Sequence, residues 1–200
     1  TVIKLDQECD EQGISNRQDK MTEKIIIAGA GGQGIMLLGK VLAEAAMQEG
    51  KYVTWLPAYG AEVRGGTSYC MIVVSDEEIG SPHIEQADTL IVMNNPSLEK
   101  FKHRLKSGGL LIVNTSLVVE KKEKRDNFLQ FPFTDIAAKL GNIRVANMIA
   151  LGCFLKKRKT LSLKTASKVI AEIAPEQKRD LIAINQQALN EGAKLIDGKS

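Results

Sequence analysis

No apolar run in the 200-residue chain approaches the roughly 20 residues that a bilayer-spanning helix needs. A membrane-spanning protein of the helical kind is therefore not expected. The first residues also lack the basic-then-apolar layout of a secretory signal. Cysteine is scarce and scattered: Cys9, Cys70 and Cys153 form no C-x-x-C. The chain thus offers no zinc pattern and no set able to ligate an iron–sulfur cluster by itself. An odd, dispersed set suits reduced thiols, and a cytoplasmic location is expected. Aromatics make up only 4%, which leaves no basic-aromatic platform for single-stranded nucleic acid. A net charge of +3 is too small to argue for nucleic acid, though an acidic protein partner or an anionic ligand fits it. Paired carboxylates are not evident, and the only histidines are His83 and His103. No catalytic residue and no metal ligand is assigned to this chain.

What is present is the composition of a globular protein, 44% hydrophobic and 26% charged, with length enough for one domain and a real core. Residues 1–20 are polar, lack periodicity and contain "DEQGISNRQDK"; they read as a flexible N-terminal extension. Met21 directly precedes the first strong strand, so the domain is expected over 21–200.

From there strands and helices alternate. Residues 24–28 form a continuous apolar run, which suits a strand buried on both faces. Ile35, Leu38, Leu42 and Ala45 recur at helical spacing, and Gly50 ends that helix. Further strands are expected at 52–56, 67–75, 88–93, 109–114 and 128–131. A helix with Pro96 in its first turn lies between the fourth and fifth. The rest reads as helices over 134–140, 145–157, 163–173 and 176–196, the last two separated by Pro175. The fold class is α/β: a single Rossmann-like domain, its sheet mostly parallel with helices on both faces, and a helical C-terminal part. The strand at 67–75 follows a ten-residue loop rather than a helix, so it is expected to depart from the simple Rossmann order.

Two stretches carry the chemistry. In "IIIAGAGGQGI", Gly29, Gly31 and Gly34 satisfy G-x-G-x-x-G between a strand and a helix, with Gly32 and Gln33 inside the loop. Small residues let the chain turn tightly, and the helix start offers unpaired N–H groups to an anion. The same glycines also suit plain helix–sheet packing with no ligand. A dinucleotide site further requires an acid near the end of the second strand to hold a ribose. "VTWLPAYG" stands there instead, and the nearest acid, Glu62, lies beyond a proline and a glycine.

The second stretch is "LPAYGAEVRGGTSYCMIVVS". Gly60, Gly65 and Gly66 permit backbone shapes closed to other residues. Arg64 presents a planar fork suited to carboxylate or phosphate, and Glu62 is placed to pair with it or to face a partner. Tyr59 precedes them. Solvated pairing between Glu62 and Arg64 alone is the plainer alternative.

Taken together, "AGAGGQGI", "PAYGAEVRGGTSYCMIVVSDEEIGSP", "MNNPSLEKF", "NMIALGCF" and "NQQALNEG" resemble the gamma subunit of the 2-oxoacid:ferredoxin oxidoreductases, over about residues 23–195. The resemblance implies a role in a complex that converts a 2-oxoacid, coenzyme A and oxidised ferredoxin to acyl-CoA, carbon dioxide and reduced ferredoxin. "SDEEIGSP" leans toward the 2-oxoglutarate type, with pyruvate and branched-chain types behind it. The implied cofactors (thiamine diphosphate, Mg2+ and iron–sulfur clusters) sit in partner subunits, and none is bound by this chain alone. The implied partners are alpha and beta subunits, a delta ferredoxin-like subunit as a further candidate, and ferredoxin.

By the same resemblance the chain serves assembly and active-site enclosure. Gly29, Gly31, Gly32, Gln33, Gly34, Tyr59, Glu62, Arg64, Gly65 and Gly66 are then candidates for coenzyme A or subunit-interface contact. A free-standing nucleotide-dependent oxidoreductase and a ligand-free assembly module are the alternatives. Cys70 reads as a buried small hydrophobe, and Asn147 as a helix cap. The basic runs at 121–125 and 156–159 are candidate contacts for acidic ferredoxin or solvated faces.

Overall fold

The side chains of Ile25, Ile26, Ile27 and Ala28 are all fully buried, which only the centre of a sheet covered on both faces provides. In the computed structural model, which describes residues 20–58, 67–119 and 126–198, this run is the middle of β1 (Thr22–Ala30). The further strands are β2 (Tyr52–Pro57), β3 (Thr67–Ser75), β4 (Ala87–Val92), β5 (Leu105–Asn114) and β6 (Phe128–Phe131). They form one sheet in the order β2-β3-β1-β4-β5-β6. β1, β4, β5 and β6 pair in parallel, while β3 runs antiparallel to both β1 and β2. The reversal has a simple cause. A parallel neighbour needs a crossover of about a dozen residues or more, and too few residues separate β2 from β3 to supply one.

Successive residues of β1 point to opposite faces and so build two cores. Ile25 and Ile27 face α1 (Ile35–Gln48), α3 (Phe133–Lys139), α4 (Ala146–Arg158), α5 (Leu163–Glu172) and α6 (Ile182–Asp197). Ile26 and Ala28 face α2 (Asn95–Phe101), which contributes Leu98 and Phe101. The α/β reading with helices on both faces therefore holds, though unevenly, with α2 the one α-helix on its side among the described residues.

Local chemistry explains most boundaries. The Asn94 side chain accepts from Ser97 N at 3.1 Å to open α2, with Pro96 in the first turn. Gly50, at φ 73°, turns the chain out of α1. Two elements differ from expectation. β5 begins at Leu105 rather than residue 109, through an irregular pairing with β4 and a positive-φ Gly108. Polar Lys106 and Ser107 hid that start from any apolar pattern. The last helix was expected from residue 176, but Glu176–Leu181 is a 3-10 turn interrupted at Lys178, and α6 starts at Ile182. The segment "EQKRDL" buries nothing, so no packed face holds it in an α-helix. The expected extension at 1–20 lies, apart from Lys20, outside the described residues.

α4 is the innermost helix: every residue from Ala146 to Leu155 is buried. A helix apolar all round needs cover on every side, and α6 supplies the outer one. The two helices cross backbone on backbone. A Cβ on Gly152 would lie 1.9 Å from Leu189 O, and one on Gly192 would lie 1.9 Å from Ile149 O. Each glycine thus makes room for the other helix. Gly152→Ala and Gly192→Ala are each expected to lower unfolding free energy by roughly 3 kcal/mol in denaturant titration. Gly31→Ala, which meets open space, should stay within about 0.5 kcal/mol of the parent.

At the amino ends of the central strands β1 and β4 lies a buried ionic cluster. Glu23 accepts from the Thr89 hydroxyl, and Arg158 Nε lies 3.0 Å from Glu23 Oε1. Arg158 also donates to Asp88 O at 2.7 Å. One cation of the 156–159 run is therefore committed inward, and Lys156 pairs with Asp197 at 2.9 Å. Burial pushes the Glu23 carboxyl above its ordinary value, outweighing Thr89 and Arg158, which pull it down. A carboxyl raised in the folded state gives stability that is full below its unfolded value of 4.5 and lost as pH rises through the folded one. Glu23→Gln cannot ionise, so its unfolding free energy should fall less across that window than the parent's. Equal slopes in denaturant titrations at stepped pH would contradict this.

Candidate functional site

The carboxyl ends of β1 and β4 bound a crevice where the connections diverge: α1 leaves β1 on one face and α2 leaves β4 on the other. Ligands of open α/β sheets usually sit in such a crevice. Here the protein's own side chain bridges it. Gln33 Oε1 accepts from Ala30 N at 2.6 Å, and Gln33 Nε2 donates to Met93 O at 3.2 Å. A Cβ on Gly29 would lie 2.6 Å from that Gln33 oxygen and 2.9 Å from Met93 Cβ. Gly29 is thus small so that glutamine and methionine can close over it.

Gly34 is constrained differently. It takes φ 71° just before α1, and a Cβ there would lie 2.3 Å from Asn147 Nδ2. Asn147 donates to Gly34 O at 3.0 Å and accepts from Met148 N at 2.9 Å. It was expected as a helix cap. Instead it stands just inside α4, whose preceding residue Val145 makes no side-chain cap, and its amide ties α4 to the glycine loop. Of the loop residues singled out by the pattern, Gly29, Gln33 and Gly34 are engaged within the protein. A Cβ on Gly31 or Gly32 would meet nothing.

Tyr59, Glu62, Arg64, Gly65 and Gly66 lie outside the described residues, as does the 121–125 run. Their flanks are described. Thr67, which follows Gly66, is the register partner of Ala30, which precedes Gly31. Ala58 N donates to Tyr69 O at 3.0 Å. The second stretch therefore leaves and rejoins the sheet at the edge that carries the glycine loop. Reversal of β3 is what brings the two together.

Cys70 lies under α1, fully buried, with its Sγ 3.9 Å from Ile35 O. Burial pushes its thiol up to about 12, so it is no nucleophile. His83 and His103 are exposed. Among the described residues no group of three or more His, Cys, Asp or Glu is placed to hold a metal, and no helix is long and apolar enough to cross a membrane.

Beside the glycine loop is a cavity of about 440 Å³, walled by Gly32 and Gly34, α1, the turn before α4, the end of α5 and the turn before α6. Its cations are Lys40, Arg144 and Lys178, and its amides Asn142, Asn147 and Asn185. No pattern in the sequence joins these residues, because only Asn142 and Arg144 share an element.

The sequence profile of the pyruvate ferredoxin/flavodoxin oxidoreductase family matches residues 24–195. The chain belongs to that family. It is 39% identical over 132 residues to ketoisovalerate oxidoreductase subunit VorA of Methanothermobacter marburgensis, covering 66% of this chain and 28% of that one. It is 35% identical over 184 residues to 2-oxoglutarate synthase subunit KorC of the same organism, covering 88% of this chain and 97% of that one. The chain spans about a third of the length of the VorA relatives but nearly all of KorC. The crystal structure of a keto/oxoacid ferredoxin oxidoreductase gamma subunit from Geobacter sulfurreducens superposes with a TM-score of 0.72 at 31% identity, covering 86% of this chain and 96% of that one. Within this family member, Gln33→Ala would orphan Ala30 N and leave Met93 O only its second donor, Asn114 Nδ2 at 3.3 Å, and a loss of about 1–3 kcal/mol in unfolding free energy is expected. No loss would show that water replaces the amide.

Proposed function

We propose that the chain is the gamma subunit of a 2-oxoacid:ferredoxin oxidoreductase, inactive alone and assembled with alpha and beta subunits. The observation that carries this is the family match over 24–195 together with KorC-type relatives of nearly equal length. In such a complex, oxidative decarboxylation of the 2-oxoacid yields acyl-CoA and reduces ferredoxin, with thiamine diphosphate and iron–sulfur clusters held by the other subunits. The thiols described here suit neither task, since Cys70 and Cys153 are both packed in the core.

This chain's share would be assembly, exclusion of water from the reacting centre, and contact with coenzyme A. Gly31, Gly32 and the 59–66 stretch, whose flanks leave and rejoin the sheet beside the glycine loop, would supply the surface for it. Arg64 is the natural partner for a phosphate of coenzyme A. 2-Oxoglutarate is the favoured substrate, from "SDEEIGSP" and the KorC relatives. Likeness to both ketoisovalerate and 2-oxoglutarate subunits supports the reading that substrate selection resides in the partner chains. A free-standing nucleotide enzyme is disfavoured, because Gln33 takes the Ala30 N–H that a pyrophosphate would use, and β2 ends in Leu56-Pro57 rather than an acid.

Co-expression with cognate alpha and beta chains, followed by mass measurement and a ferredoxin-linked assay, tests the assignment. Complex formation with activity supports it; NAD reduction by the chain alone overturns it. In the assembled complex, Arg64→Ala should raise the apparent KM for coenzyme A about tenfold or more and leave 2-oxoacid decarboxylation intact, as loss of a charge-assisted contact predicts. An unchanged KM in an intact complex removes the coenzyme A contact and leaves an assembly role.

A further inference from the structure

The cavity beside the glycine loop is asymmetric in its chemistry. At its rim stand Lys40, Arg144 and Lys178, all exposed and contributed by three different elements. No Asp or Glu lines it. Among the described residues none of the three cations forms a salt bridge. The amide oxygens nearest them are largely spent: Asn142 Oδ1 accepts from Arg144 N at 3.0 Å, and Asn147 Oδ1 from Met148 N. Asn185 donates to Leu181 O at 2.7 Å and keeps one acceptor. What faces the opening is therefore rich in donors and positive charge.

The floor is different. Val41, Met148 and Ile170 are almost fully buried, and Ile173, Ala174 and Ile182 continue the aliphatic wall. No aromatic ring lines the cavity, so nothing there would stack a nucleobase. Its volume of about 440 Å³ is at the small end of ligand sites, roughly 300–1,000 Å³. Lys178 reaches the rim because the turn before α6 breaks helical geometry there, at φ −125° and ψ 17°. Leu37, on the lining and 42% exposed, gives the mouth an apolar lip.

We propose that this cavity binds an aliphatic carboxylate of medium length. The head would sit among Lys40, Arg144 and Lys178, with the chain lying along Val41, Met148 and Ile170. Arg144 offers a planar fork that matches a carboxylate, and the aliphatic wall takes the methylenes out of water. The site would be a small-molecule sensor on the face of this chain, and it does not depend on the proposed subunit role.

The test uses the full chain with octanoate, octanol and inorganic phosphate as probes, by calorimetry and thermal shift. Octanoate should bind at one site, more weakly as salt is raised. Arg144→Gln with Lys178→Gln should weaken it about tenfold or more while leaving the melting temperature of the free protein unchanged. Ala174→Leu, which fills the cavity from its wall, should abolish binding while circular dichroism stays native. Octanol binding as tightly as octanoate would overturn anion recognition. Phosphate binding as tightly as octanoate would overturn the role of the apolar wall. Octanoate binding unchanged in the charge variant or in Ala174→Leu would place it elsewhere and overturn the proposal.

Discussion

The crossing of α4 over α6 at Gly152 and Gly192 sets the geometry on which the rest rests. Neither glycine is needed for a turn; each is needed so that a carbonyl of the other helix can occupy the space of a side chain. With α6 so close, α4 is sealed from water along ten consecutive residues and can be apolar on all sides. Held in that position, α4 brings Asn147 to the glycine loop, where its amide meets Gly34 O. One close contact on the outside of the domain thus fixes the start of α1, some 113 residues earlier in the chain. The cavity lies in the angle between these same elements, so its shape is inherited from the crossing.

The glycine loop has the spacing of a phosphate cradle, yet its residues are spent on holding the protein together. Gln33 spans from Ala30 to Met93, where a dinucleotide would lay its pyrophosphate. Gly29 and Gly34 are small because Gln33, Met93 and Asn147 crowd them. What this leaves at the surface is a short edge, Gly31 and Gly32, next to the strand end where Thr67 begins β3. An edge of that kind suits a neighbour better than it suits a cofactor wrapped by the loop.

Much of this was visible in the sequence, and the reasons differ by element. β3 and β6 fell within their expected limits because dense β-branched and aromatic runs leave little else for those residues to form. A departure from the simple Rossmann order was anticipated from the loop that stands where a helix would, but its form, the reversal of β3, was not. The early start of β5 was hidden, since an exposed, bulged strand end carries no apolar pattern. The last helix was drawn six residues too early because "EQKRDL" has good helix formers but no face to bury. The role of Asn147 was out of reach of local reasoning: its partner is distant in the chain, and the same residue type at a helix start ordinarily reads as a cap. The cavity was equally hidden, being a property of three separate turns and two helix ends.

The reversed strand also shapes how the chain can be made. β1 is made before the other five strands but sits at the centre of the sheet, and its neighbours β3 and β4 arrive only as residues 67–92 emerge. Until then an uninterrupted run of isoleucines has nothing to pair with on either side. α4 then waits in its turn, apolar all round, until Gly192 has been synthesised and α6 can close on it. Pairings of such long sequence separation form slowly and leave unpaired edges exposed. A strand buried on both faces and a helix buried along ten residues thus each await a cover that is made later.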